Sequence, residues 1–274
     1  MIQCHDIRFE RAQRTILDGV SLSADASEVV VVVGPNGAGK SSLFRILAGD
    51  ERPTSGAVSL LGRDVASAPP MELARLRAVM PQESTLAFPF TVHEVVMLGR
   101  TPFEHRGEPM ACRAVARAAM SATDTLRLED RLFSTLSGGE RQLVVAARVL
   151  AQIWEGAPGR ALLLDEPTSA LDLLHQHALL ETAVRMADRG CAIVCILHDL
   201  NLAARYATRI VVLDGGRVVA TGSPRDVLTR ELVADVFEVE ADVVFAPRST
   251  SPTVVSLGPR RRECERLLPK GTLL

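Results

Sequence analysis

Two stretches of this 274-residue chain are glycine turns of the kind that hold phosphate, and they lie about a hundred residues apart. The first, GPNGAGKSS at 34–42, fits the pattern G-x-x-x-x-G-K-[ST] and stands between a run of valines and an amphipathic stretch, where a strand must hand over to a helix. Gly34, Gly37 and Gly39 let the backbone curl so that successive N–H groups face a phosphate chain, with Pro35, Asn36, Ala38 and Ser42 completing the loop. Lys40 adds a point charge and Ser41 a hydroxyl ligand for Mg²⁺. The second, LSGGERQ at 136–142, is a Ser-Gly-Gly turn running into a helix, whose bare N–H groups and dipole favour an anion.

Carboxylates and a histidine follow at strand ends. LLLDEP (162–167) closes a buried run with Asp165 and Glu166. Neighbouring side chains on a strand point apart, so the two can do separate work. Asp165 is suited to hold Mg²⁺ through water, and Glu166 to orient and deprotonate an attacking water. His198 follows a third buried run, CIL, so that Lys40, the acidic pair and His198 should share the C-terminal rim of one sheet, where ligands of open α/β sheets bind. His175 and His177, two apart on a helix, face different ways and make no metal pair; His5, His93 and His105 have no partner visible in the sequence.

These residues need elements to position them. EVVVVVG (28–34) reads as a strand buried on both faces, and SSLFRILAGD as the helix after it, with Leu43, Ile46 and Leu47 on one side and Gly49 ending it. RALLLDEP (160–167), CAIVCILHD (191–199) and RIVVLDGG (209–216) resemble the first strand; an amphipathic helix ending at Gly190 separates the first two, and a hairpin turns at Asp214-Gly215-Gly216. This alternation predicts an α/β fold with a mostly parallel sheet. Residues 83–151 lack a buried strand and predict a helical subdomain, about 86–151, inserted between core segments 1–85 and 152–240; residues 241–274 form a C-terminal extension packed on the core.

Bulk properties set limits. The chain is 47% hydrophobic and 23% charged, with a formal net charge of −2, so no overall basic field argues for nucleic acid, and Arg260-Arg261-Arg262 reads as a solvated segment. Five scattered cysteines (Cys4, Cys112, Cys191, Cys195, Cys264) show no zinc spacing and fit a reducing compartment; Cys191 and Cys195 should face one way, into the core. No apolar stretch is long enough to cross a bilayer, and the N-terminal MIQCHDIRFE lacks a signal-like apolar core.

Taken together, these motifs resemble the ATP-binding subunits of ABC transporters over about residues 2–240. The phosphate loop corresponds to Walker A, MPQES with Gln82 to the glutamine loop, LSGGERQ to the family signature, LLLDEP to Walker B, SALD (169–172) to the D-loop with Asp172, and LHD to the switch histidine, His198. The resemblance implies a P-loop NTPase core with an N-terminal antiparallel β element, and ATP with Mg²⁺ held by Ser41, Asp165 and Gln82. It also implies a head-to-tail homodimer in which Ser137, Gly138, Gly139 and Glu140 grip the γ-phosphate of ATP on the partner chain, so the second glycine turn serves the other subunit. Lys40, Glu166 and His198 become the catalytic set. The family stacks adenine on an early aromatic; here the corresponding position falls near Arg11, so either Phe9 fills the role or the Arg11 guanidinium does. ADASE (24–28) stands where a proline-glycine turn is commoner.

Within the family, FPFTVHEVV followed by LGRTPF resembles the ATPases of importers for iron chelates, haem and vitamin B12, where such a stretch floors the groove that receives a helix of the membrane subunit. The longer link AQIWEGAPGR (151–160) and the His-Gln-His after the D-loop resemble the haem-import branch, an associational mark with no physical reason behind it. The expected assembly is a homodimer on two membrane subunits at the cytoplasmic face of the inner membrane, served by a periplasmic haem-binding protein, with haem itself not touching this subunit. A ferric-siderophore or vitamin B12 importer, and more remotely a soluble non-transport ABC ATPase, are the alternatives.

Overall fold

The computed structural model describes residues 1–82, 88–103, 109–155, 159–245 and 250–260. His105, Cys264, Arg261 and Arg262, and all of residues 83–87 and 156–158, lie outside the described residues. In chain order the elements are β1 (Ile2–Arg11), β2 (Arg14–Ala24), β3 (Val29–Val33), α1 (Lys40–Ala48), β4 (Ser55–Leu60), β5 (Arg63–Asp64), α2 (Pro70–Leu76) and β6 (Arg77–Met80). Then come α3 (Val92–Met97), a 3₁₀ segment (Leu98–Phe103), α4 (Pro109–Ala122), α5 (Gly138–Ile153), β7 (Ala161–Asp165) and α6 (Leu173–Asp188). The chain continues through β8 (Ala192–Ile196), α7 (Leu200–Tyr206), β9 (Arg209–Asp214), β10 (Arg217–Gly222), α8 (Pro224–Val227), α9 (Arg230–Phe237), β11 (Val239–Phe245) and β12 (Pro252–Pro259).

The valine run and its three look-alikes pair into one 6-stranded sheet, ordered β10-β9-β3-β8-β7-β6. It is parallel except for β10, which returns antiparallel from β9. β6, at the edge, is a strand that the sequence pattern did not reveal: four residues with only two buried give no periodicity to read. Strands β3, β7 and β8 are buried at every position, as a parallel sheet covered on both faces requires. Val29, Val31, Val33, Leu162, Leu164, Ile193 and Cys195 face the core shared with α4, α5 and α6. Val30, Val32, Leu163, Val194 and Ile196 face the core under α1 and the N-terminal sheet. Cys191 and Cys195 both fall in the first core, and burial raises the Cys191 thiol to about 12.

The N-terminal strands form a 4-stranded antiparallel sheet, β2-β1-β4-β5. Between β6 and β7 the described residues carry helices only. α3 and α5 each start on a capping box, Thr91 with Glu94 and Ser137 with Glu140, which satisfies the otherwise unpaired first-turn N–H groups. α5 continues to Ile153, two residues beyond the expected subdomain edge, and its apolar face joins the sheet core directly. His93 has a partner that the sequence did not show: its Nδ1 lies 3.0 Å from Glu129 Oε1. At the C-terminal end β11 starts at Val239, just before the expected extension, and pairs with β12. The side chain of Asn201 on α7 docks this hairpin through both of its polar atoms, accepting from Val254 N at 2.7 Å and donating to Val254 O at 3.2 Å. Among the described residues no helix is long and apolar enough to cross a membrane.

The predicted β9–β10 hairpin turns at Gly215 and Gly216, with φ of 52° and 77°. Gly216 is wedged against β2: its O accepts from Asp18 N at 2.9 Å, its N donates to Ala38 O at 3.2 Å, and a Cβ there would stand 2.4 Å from Ile16 O. The turn therefore ties the N-terminal sheet to the phosphate loop. Gly216→Ala should destabilise the chain by about 2–3 kcal/mol, the sum of a left-handed φ and a backbone clash, measured as a lowered thermal midpoint and urea midpoint.

Candidate functional site

The site is built at one rim of the sheet by register. Val32 on β3 and Asp165 on β7 both stand opposite Ile196 on β8. Glu166, one residue past Asp165, and Gly34 and His198, two past Val32 and Ile196, therefore emerge at the same ends of neighbouring strands. Glu166 N donates to Ile196 O at 3.2 Å, and Leu197 N to Val32 O at 3.3 Å, carrying the pairing one step past the strands.

The loop after β3 curls through Gly37 (φ 81°) and Gly39 (φ 100°), and α1 starts immediately at Lys40. A Cβ on Gly34 would stand 2.0 Å from Leu213 O, so the loop's entry tolerates only glycine. The Lys40 ammonium is 6% exposed and folds into the loop, donating to Gly34 O at 2.8 Å and Pro35 O at 2.9 Å. Burial lowers its pKa, against the opposing pull of Glu166 and Asp165.

Beside this loop opens a cleft of about 420 Å³ that also reaches Ser41, Ser42, Gln82, Glu166 and His198. Glu166 is held from several sides. Gln82 Nε2 donates to its Oε2 at 2.9 Å, and His198 Nε2 bonds to its Oε1. Gln142 Nε2, from α5, donates to Glu166 O at 3.3 Å and Pro167 O at 2.9 Å. The backbone of Glu166 is left-handed, φ 48°, a strained state for a side-chain-bearing residue that these bonds keep in place. Asp165 is buried just behind, and its Oδ1 has no hydrogen-bond partner among the described residues. Burial, and then the charge of Glu166, push its pKa up to about 6.

A buried carboxylate oxygen without a partner, in a set of hard oxygen donors with the Ser41 hydroxyl and the Gln82 amide, fits Mg²⁺. Sequence reasoning missed two further residues. Ile16 lines the cleft with an aliphatic side chain, and only its place beside Gly39 in the fold reveals it. Gln142 lies within the signature, and only its bonds to the 166–167 backbone reveal its task.

Two expectations need correction. Phe9 is buried in the core beneath the N-terminal sheet, because its β1 position faces inward opposite Leu17, so it cannot stack on a base. Arg11 stands at the exposed end of β1, 3.7 Å from Glu51, and does not line the cleft. Glu140, expected to meet a partner chain's phosphate, also caps its own helix. Its Oε2 accepts from Ser137 N at 2.9 Å, a bond that holds the carboxyl below its usual range and keeps it negative. It shapes the turn by capping it. Ser137, Gly138 and Gly139 open α5 away from the cleft, and none of the four lines it. They adjoin the 169–172 loop instead: a Cβ on Gly139 would stand 3.0 Å from Ala170 O. The His175 and His177 rings part as expected, one to Asp172 and the other to Tyr206.

The profile of the ABC transporter family matches residues 17–169. The hemin import ATP-binding protein HmuV of Gloeobacter violaceus is 50% identical over 260 residues, covering 94% of each chain. HmuV of Myxococcus xanthus is 48% identical over 259 residues, 94% of this chain and 97% of that protein. Among solved structures, an ATP-binding subunit of an ABC transporter superposes with a TM-score of 0.75 at 26% identity, over 83% of this chain and 91% of that one. A dimeric bacterial ABC transporter cassette gives 0.72 at 25%, over 81% and 98%.

Asp165 makes a test that is independent of any assigned role. A carboxyl whose pKa is higher folded than unfolded binds its proton more tightly in the native chain, so stability is lost as pH rises from about 4 through about 6. Asp165→Asn should therefore raise the stability of the nucleotide-free chain at pH 7.5 by about 1–3 kcal/mol, and the gain should vanish below about pH 4. Denaturant melts of both chains across that range read it directly.

Proposed function

The chain belongs to the ABC transporter family, and from that premise we propose that it is the ATP-hydrolysing subunit of an importer that brings haem into the cell. The observation that carries the chemistry is the clustering of Lys40, Gln82, Glu166 and His198 around one cleft at the strand ends. The cargo reading rests on relatives named for hemin import that match nearly the whole chain at about half identity.

The residues divide the work by position. ATP would lie with its phosphates along Gly34–Ser42, where backbone N–H groups donate to them and the Lys40 ammonium exchanges its two carbonyl partners for phosphate oxygens. Ile16, not Phe9, offers the apolar contact toward the nucleoside end. Ser41, Asp165 and Gln82 would hold Mg²⁺, which supplies charge neutralisation at the β- and γ-phosphates. Glu166, fixed by Gln82 and His198, takes the proton of the attacking water, and His198 stabilises charge growing on the γ-phosphate. The turn Ser137-Gly138-Gly139, too far round to serve its own loop, completes the site of a second copy. Two copies would then face each other head to tail on a pair of membrane subunits at the cytoplasmic face of the inner membrane, with a periplasmic haem-binding protein delivering cargo.

The docking groove for the membrane subunit would be floored by the α3 region. Phe88 there is 69% exposed, its ring edge-on to Phe90, so that among the described residues an apolar side chain is left largely on the surface.

Three outcomes test the reading. Glu166→Gln should cut hydrolysis by about 10²–10⁴-fold while retaining ATP and accumulating an ATP-bound dimer; wild-type turnover in that variant would refute the general-base role. Ser137→Arg should abolish hydrolysis yet leave ATP binding by the single chain intact, measured with a fluorescent nucleotide. Deleting the gene should abolish growth on haem as sole iron, with rescue by wild type and not by Glu166→Gln. Loss of growth on a ferric siderophore instead would leave the ATPase standing and change its cargo.

A further inference from the structure

His175-Gln176-His177 is a triplet to which the proposed chemistry gives no task, yet each of its side chains is engaged. Asp172 caps α6, its Oδ1 accepting from His175 N at 2.9 Å. The same oxygen is 2.7 Å from His175 Nδ1. These bonds hold the Asp172 carboxyl below its usual range, so it is an ionised acceptor and the imidazole must donate, with its proton on Nδ1. The Asp172 side chain is nevertheless 68% exposed, and both hydrogen bonds from His175 use the same oxygen, Oδ1.

Gln176 reaches back along the loop, donating through Nε2 to Leu171 O at 3.0 Å and Thr168 O at 3.3 Å. His177 anchors the same helical turn to α7, with Nδ1 2.6 Å from Tyr206 Oη. From the opposite side Gln142 holds Glu166 O and Pro167 O. Residues 166–172 are thus pinned from two helices, and the pinned loop is in contact with the signature turn at Gly139. Next to Asp172 the side chains of Leu173 and Leu174 are each 74% exposed, an apolar pair at the edge of the same face.

We infer that His175 and Gln176 are positioning residues for ATP-driven pairing of two copies of this chain. They fix Asp172 so that one oxygen is used internally and the other, Oδ2, is presented with the signature turn to hydrogen-bond donors at the rim of a second copy's phosphate loop. Ordering the loop beforehand removes an entropy loss from the pairing step. This inference rests on the two-chain ATP site proposed above.

The test uses the full chain in the Glu166→Gln background, with ATP and Mg²⁺, and reads the dimerisation midpoint by analytical ultracentrifugation. His175→Ala and Gln176→Ala should weaken dimerisation roughly tenfold, the loss that goes with one charge-assisted hydrogen bond. His175→Asn, whose amide nitrogen takes the place of Nδ1, should restore it to within about twofold. Binding of a fluorescent ATP analogue by the dilute monomer should match the parent in all three, and the thermal midpoint should match it in the two His175 variants. Dimerisation of His175→Ala at the parent's midpoint would overturn the inference, as would failure of His175→Asn to rescue. A fall in monomer ATP affinity and thermal midpoint in step with dimerisation would reduce the pair to general scaffold residues and overturn it equally. If the Glu166→Gln parent itself stays monomeric with ATP, the two-chain reading falls and this inference falls with it.

Discussion

Ile196 stands opposite Val32 on one side and Asp165 on the other, and the site depends on that shared register. β8 lies between the strand that leads into the phosphate loop and the strand that ends in the acidic pair. Because side chains alternate with period two, a slip of one residue would turn each strand's core-facing set over and carry Asp165 and His198 away from Lys40. Burial on both faces makes such a slip prohibitive. β3, β7 and β8 expose no side chain, so a wrong register would put apolar groups against the wrong packing partners along the whole strand.

Past the strand ends, side-chain amides continue the work of the backbone ladder. Residues 166–172 form no regular element, and their carbonyls would lack partners in a dry interior. Gln142 and Gln176, from two different helices, supply the missing donors. The same bonds keep Glu166 in a left-handed conformation that aims its carboxylate between Gln82 and His198. Satisfying the loop's hydrogen bonds and placing its catalytic-type side chain are thus one arrangement.

Charge is managed in a similar way. Lys40 and Asp165 are both buried near each other, and each is drawn toward its neutral form by loss of water. Lys40 finds two carbonyl oxygens, whereas Asp165 Oδ1 has no hydrogen-bond partner among the described residues. In the proposed reaction a phosphate beside Lys40 and a divalent cation beside Asp165 would balance both groups.

Motifs that depend on local chain chemistry were legible without coordinates. The glycines of 34–39, the doubly buried valine strand and the Asp214-Gly215-Gly216 turn each follow from conformational freedom or from burial on both faces. Phe9 shows where such reading fails: an aromatic near the right place looks like a base-stacking residue until β1 pairs with β2 and turns it inward. At Glu140 the structure adds a cap, its carboxylate accepting from Ser137 N. Ile16, Gln142 and the His175-Gln176 pair could not be assigned from sequence, since their partners lie across strand pairings or on other elements. By itself, the sequence determined which local structures form and which reactive groups end them, because those choices are made within a few residues. Only the tertiary structure decided which groups meet, because strand register and helix docking are settled by burial summed over residues far apart in the chain.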